Sequence, residues 1–150
     1  MKVALACDHG GYALKQPIFE LLEGELGCQV LDLGAHRYQA DDDYPDYARY
    51  VAQAVQHGQA ERGVLLCGSG VGASIAANKL TGVRAAVCHD CYSARQGVEH
   101  DDMNVLCLGA RVVGIEIAHD LVRQFIQARF NPVDRYQRRL DQIKAMEASG

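Results

Sequence analysis

Five short apolar runs divide the chain: Val3–Cys7, Cys28–Leu33, Gly63–Cys67, Arg84–Cys88 and Val105–Leu108. Runs this short, without polar alternation and stopped by glycine or acidic residues, read as strands buried on both faces. The longer segments between them carry helical spacing. From Tyr12 to Leu26 the marks are Leu14, Ile18, Leu21 and Leu22. Pro17 is tolerated only near a first turn, so the regular helix is placed from about Lys15. Pro45 fits the first position of a helix running to about His57. Shorter helices are expected over Ser74–Lys79 and Tyr92–Glu99. Ile117, Leu121, Phe125 and Ile126 stripe a helix over Ile115–Phe130, and a last helix covers Asp134–Ala148. Strands alternating with helices predict an α/β fold, a three-layer α/β/α Rossmann-like domain. Its five-stranded parallel sheet is expected in the order 2-1-3-4-5, with a C-terminal helix, as one domain over residues 1–150.

Charge and composition narrow the partners. The formal net charge is −4 and 23% of residues are charged, which gives no electrostatic footprint for nucleic acid. No apolar run approaches the roughly 20 residues needed to span a bilayer, so no membrane partner is expected. The apolar stretch after Met1-Lys2 is shorter than the about 7–15 residues of a secretory signal core. A cytoplasmic location is the expectation, with the six cysteines (Cys7, Cys28, Cys67, Cys88, Cys91 and Cys107) as reduced thiols.

Ligands of open parallel sheets bind beyond the carboxyl ends of the strands, which directs attention to the loops after Cys7, Cys67, Cys88 and Leu108. The loop Cys67-Gly68-Ser69-Gly70-Val71-Gly72 is the most informative. Its glycines let backbone amides approach an anion, and the following helix turns its N–H groups toward the same place. That field is expected to lower the pKa of the Cys67 thiol and make it a nucleophile or base. The loop is not a P-loop, since no Lys follows until Lys79, nor a dinucleotide fingerprint, since it follows the third strand. It also lacks the Arg of a tyrosine-phosphatase loop, where Ala73 stands.

Asp8 and His9 leave the first strand and would face Cys67 across the switch point, although Asp8 alone could be a helix cap and His9 a solvated side chain. His100-Asp101-Asp102-Met103-Asn104 leads into the fifth strand and Arg111 follows it. His100 suits proton transfer near neutrality, but a lone loop histidine is usually solvated; Asn104 could equally satisfy turn backbone. Arg135 and Arg139 share one helix face and could grip a phosphate or simply be solvated. Cys88-His89-Asp90-Cys91 has no second pair at zinc-finger spacing, so neither metal nor redox chemistry is expected there.

Taken together, Cys7-Asp8-His9-Gly10-Gly11, Asp43-Tyr44-Pro45, Cys67-Gly68-Ser69-Gly70-Val71-Gly72, Ala76-Ala77-Asn78-Lys79, Arg84-Ala85, Asn104-Val105-Leu106 and Gly109-Ala110-Arg111 resemble the ribose-5-phosphate isomerase B family, which includes galactose-6-phosphate isomerase subunits. The resemblance implies an aldose–ketose isomerase acting on a phosphorylated sugar without cofactor or metal, most simply ribose 5-phosphate to ribulose 5-phosphate. It implies a homodimer, or a pair of dimers, with a site shared between subunits. By position, Cys67 would move a proton between C1 and C2 and Ser69 would assist between O1 and O2. The amides of Gly68, Gly70, Val71 and Gly72 would hold the enediolate oxygens, and His100 with Asp8 would open the furanose ring. His9, Arg111, Arg135 and Arg139 would meet the phosphate, with Tyr44, Asp101 and Asn104 also at the substrate. Relatives commonly carry Asn where Asp101 stands, which bears on whether a four-, five- or six-carbon sugar is preferred. A non-catalytic sugar-phosphate sensor is the competing reading, and it would have no need of Cys67 or His100.

Overall fold

The computed structural model describes residues 1–150. Its elements are β1 (Lys2–Cys7), α1 (Tyr12–Glu20, continued by wider turns over Leu21–Glu25), β2 (Gln29–Asp32), α2 (Tyr44–Gln56), β3 (Arg62–Cys67), α3 (Val71–Ala77), β4 (Ala85–Val87), α4 (Cys91–Asp101), β5 (Val105–Gly109), α5 (Ile115–Gln127) and α6 (Asp134–Ala148). All strand pairings are parallel, with two cores, one on each face of the sheet. One core packs Leu14, Ile18, Leu121 and Phe125 of α1 and α5 under Leu5 and Leu66. The other sets Val51 and Ala52 of α2 and Ala73 and Ala77 of α3 against Ala6 and Leu65. This is the expected three-layer Rossmann-like architecture.

The strand order is β2-β1-β3-β5-β4, not 2-1-3-4-5. Burial explains the exchange. β5 is buried at every residue and needs a neighbour on each side, whereas β4 is three residues long, half-buried throughout, and suits an edge. The consequence is local: β5 pairs directly with β3, Cys67 opposite Gly109, so the segment after β5 lies beside the glycine loop.

α1 begins at Tyr12, earlier than Lys15, and carries Pro17 in its interior. Its end widens, with the Leu26 N–H bonding the Leu21 carbonyl and the Cys28 N–H the Leu22 carbonyl. α3 likewise starts directly after Gly70 rather than at Ser74. α5 stops at Gln127 because the buried Arg62 guanidinium takes the carbonyls of Phe125, Ile126 and Ala128. No helix is long and apolar enough to cross a membrane.

Candidate active site

The carboxyl ends of β1, β3 and β5 meet around Cys67. The β1 exit loop packs onto β3 so closely that a Cβ on Gly11 would fall 2.1 Å from the Leu66 carbonyl. This approach sets Asp8 against the thiol. Cys67 Sγ donates to Asp8 Oδ2 at 3.2 Å, and Asp8 Oδ1 accepts from the Gly11 N–H at 3.0 Å. Both residues are buried, at 8% and 5% exposure.

Contrary to the expectation from the glycine loop, the Cys67 pKa is raised. Burial is the largest cause, followed by the hydrogen bond to Asp8 and its charge; the Gly68 and Gly70 amides pull the other way without prevailing. The loop still presents donors. The N–H groups of Ser69, Gly72 and Ala73 make no hydrogen bond within the chain, and Val71 N–H reaches the Ser69 hydroxyl at 3.3 Å. Tyr44, at the start of α2, lies on Gly72, where a Cβ would meet its ring carbon at 2.5 Å. The Arg111 N–H bonds the Gly68 carbonyl at 3.1 Å, and its guanidinium lies against Gly68. His9 completes this group, held by Asp42: Nδ1 sits 2.7 Å from Oδ1, and the His9 backbone N–H donates to the same oxygen at 3.0 Å. Its pKa is raised, chiefly by that hydrogen bond. Asp42 was legible only as part of an acidic loop; three consecutive aspartates do not say which one turns inward.

The remaining predicted residues stand elsewhere. α4 leaves the carboxyl edge and runs back, so His100 and Asp101 in its last turn lie at the amino edge of the sheet. There the His100 ring stacks on Tyr136 of α6, centroids 3.9 Å apart, and Nδ1 is 2.9 Å from Gln96 Nε2. Arg135 lies over the other ring of this stack, 5.2 Å from the Tyr136 centroid, and Arg139 is exposed one turn on. Asn104 makes structural contacts. Its Oδ1 accepts from the Arg84 N–H at 2.7 Å and its Nδ2 donates to the Gly82 carbonyl at 2.8 Å, which commits both ends to the turn before β5.

The Cys88-Cys91 motif is also structural. Cys88 is buried and Cys91 exposed, both free, and His89 Nε2 accepts from the Gly109 N–H at 2.9 Å, tying the β4 exit to the end of β5.

Residues 3–143 match the ribose/galactose isomerase family. The chain belongs to that family. Ribose-5-phosphate isomerase B of Escherichia coli is 45% identical over 146 residues, covering 97% of this chain and 96% of that one. D-erythrulose-4-phosphate isomerase 2 of Mycolicibacterium smegmatis is 35% identical over 150 residues, covering 99% of each. The structure of Clostridium thermocellum ribose-5-phosphate isomerase B superposes with a TM-score of 0.94 at 44% identity, covering 99% of both chains. As a ribose/galactose isomerase the chain is an aldose–ketose isomerase of the sugar phosphate class.

Proposed function

We propose that this isomerase interconverts ribose 5-phosphate and ribulose 5-phosphate, with Cys67 as the proton-transferring group and with each site completed by a second copy of the chain. The contact that carries the reading is the Cys67 thiol on Asp8 beside unpartnered loop amides. The C–H next to a sugar carbonyl is weakly acidic, and its removal requires a base on one side and donors for the developing oxyanion on the other.

Because the resting thiol is held protonated, the first event is transfer of its proton to Asp8 Oδ2, leaving a thiolate and a neutral carboxyl. The thiolate then takes the C2 proton of the open-chain aldose. The C–H electron pair forms the C1–C2 double bond of the enediolate, whose oxygen charge meets the amides of Ser69 and Gly72. Ser69 carries a proton between O1 and O2, and Cys67 returns its proton to C1. Binding of the distant phosphate contributes orientation of C1 and C2.

Ring opening requires His100, which this chain holds at the wrong edge for its own Cys67. A second copy resolves the conflict. α6 buries only Leu140 of its 15 residues, too little to hold an isolated helix of that length, and leaves Ile143 and Met146 exposed. Around the mouth of the site Val71, Ile75 and Val112 are exposed as well. A partner's α6 packed on that apolar rim would bring His100, Arg135 and Arg139 to the glycine loop.

A relative named for D-erythrulose 4-phosphate supports a four-carbon substrate as the second reading. Comparison of kcat/KM over four-, five- and six-carbon aldose phosphates decides between them. The ribose 5-phosphate value is expected to be highest; a higher four-carbon value would replace the assignment, and absence of turnover on all of them would overturn it.

A further inference from the structure

Asp42 lies outside every motif that carries the family resemblance, yet its side chain is only 6% exposed and it addresses one residue twice. Oδ1 serves both the ring and the backbone of His9, while Oδ2 is buried without a hydrogen bond. A carboxylate that only accepts fixes the proton of the ring on Nδ1. Nε2 makes no hydrogen bond within the chain, and the ring is 31% exposed. A buried carboxylate is costly unless the groups facing it offset its charge, and a neutral Tyr47 hydroxyl offsets it less than a cationic His9 would.

We propose that Asp42 is a positioning residue that fixes the His9 ring and keeps it an imidazolium, so that its Nε2–H, together with Arg111, receives the phosphate of the sugar. The role rests on the sugar phosphate reading above and adds to it the group that controls the charge at the phosphate end. The charged groups facing His9 are Asp8 from the end of β1, Asp42 from the loop before α2, and Arg111 from beyond β5. Two carboxylates against one guanidinium favour the cation, in line with the raised His9 pKa. Tyr47 of α2 also faces Asp42, and its hydroxyl pKa is raised by burial, by the Asp42 charge and by a hydrogen bond to that carboxylate. An arriving dianion adds to the same bias, since its charge also favours the protonated ring.

The test is the titration of the His9 imidazole by proton–nitrogen NMR, assigned by the loss of its signal in His9→Asn, in wild type and in Asp42→Asn. Sulfate binding is measured alongside at pH 6 and pH 8, because the charge of sulfate is constant over that range. Wild-type His9 is expected to titrate above the ordinary value of 6.5. In Asp42→Asn the titration should fall, and sulfate binding should lose more at pH 8 than at pH 6, where a larger share of His9 is protonated in either protein. Equal losses at both pH values, or an unchanged titration, would overturn the assignment. Should Asp42→Asn fail to fold, the wild-type protein alone still decides: a His9 that titrates at or below 6.5 refutes it. A protein that behaves as expected here but turns over no sugar phosphate would overturn the isomerase substrate reading and leave the role of Asp42 in anion binding intact.

Discussion

The two edges of the sheet differ in how their polar side chains are held. At the carboxyl edge, Cys67 is tied to Asp8 and Arg111 to the glycine loop by short contacts, His9 is held beside them by Asp42, and Cys67 and Asp8 are buried. At the amino edge, His100, Tyr136 and Arg135 form a stack on the surface of α4 and α6, and Arg139 stands free in solvent. A strand the length of β3 separates them by about 20 Å. The first group sets a thiol, a carboxylate, the His9 imidazole and one guanidinium beside the glycine loop; the second has the His100 imidazole and two further guanidinium groups. Side chains at opposite ends of a rigid sheet cannot meet within one chain, so the proposed site, which uses both groups, would draw them from two copies of the chain.

The largest effect should come from the carboxyl edge. Cys67→Ala is expected to lower kcat by about 10²–10⁴ on every substrate while the fold and sulfate binding persist. Near-normal turnover in the folded variant would remove Cys67 from the chemistry. Alkylation of the wild-type thiol should inactivate the enzyme, and bound substrate should protect it.

The separation of the edges is tested by mixing. Cys67→Ala and the double variant His100→Asn/Arg139→Ala, each nearly inactive, should regain about a quarter of wild-type activity when unfolded and refolded together, since half of the randomly formed dimers hold one intact site of two. No recovery in dimers shown to be mixed would place both groups in a single chain's site and break the comparison.

His100→Asn sharpens it further by separating two proton tasks. The loss in kcat/KM should be about 10²-fold for ribose 5-phosphate, which must be opened. It should be much smaller for a four-carbon aldose phosphate, which cannot close a furanose through its phosphorylated oxygen. Equal losses on both would deny His100 a ring-opening role. The smallest effects belong to Arg135→Ala and Arg139→Ala, each expected to weaken inhibition by inorganic phosphate roughly tenfold, the worth of one charge-assisted hydrogen bond. Unchanged inhibition in both would return them to a solvated face.

Much of this was legible before any coordinates. Apolar runs of strand length located all five strands, and the carboxyl-edge rule pointed to Asp8, Cys67 and Arg111. What periodicity cannot express is pairing, since a run of Val, Leu and Cys carries no mark of its neighbour; hence the exchange of β4 and β5. Nor does residue type show commitment. Asn104 reads as a polar group near a ligand until both ends of its amide are found in a turn. For Cys67, the glycine loop was visible in sequence, but the opposing Asp8 contact and the depth of burial depend on how β1 packs on β3, and these decide the sign of the pKa shift. Asp42 was hidden for the same reason, as one aspartate among three until the chain folds back on His9.

The place of β5 between β3 and β4 also bears on the order in which the protein can be made. β4 pairs with no strand but β5, and β3 has only β1 until β5 arrives. While the chain emerges from the ribosome, one flank of β3, apolar and buried in the finished domain, keeps its amides and carbonyls unpaired until residue 109 is available. An open flank of that kind is a template for joining to another chain. Gly63 to Cys67 is therefore the segment most exposed to misassociation during synthesis, and it ends on the cysteine proposed to move the proton.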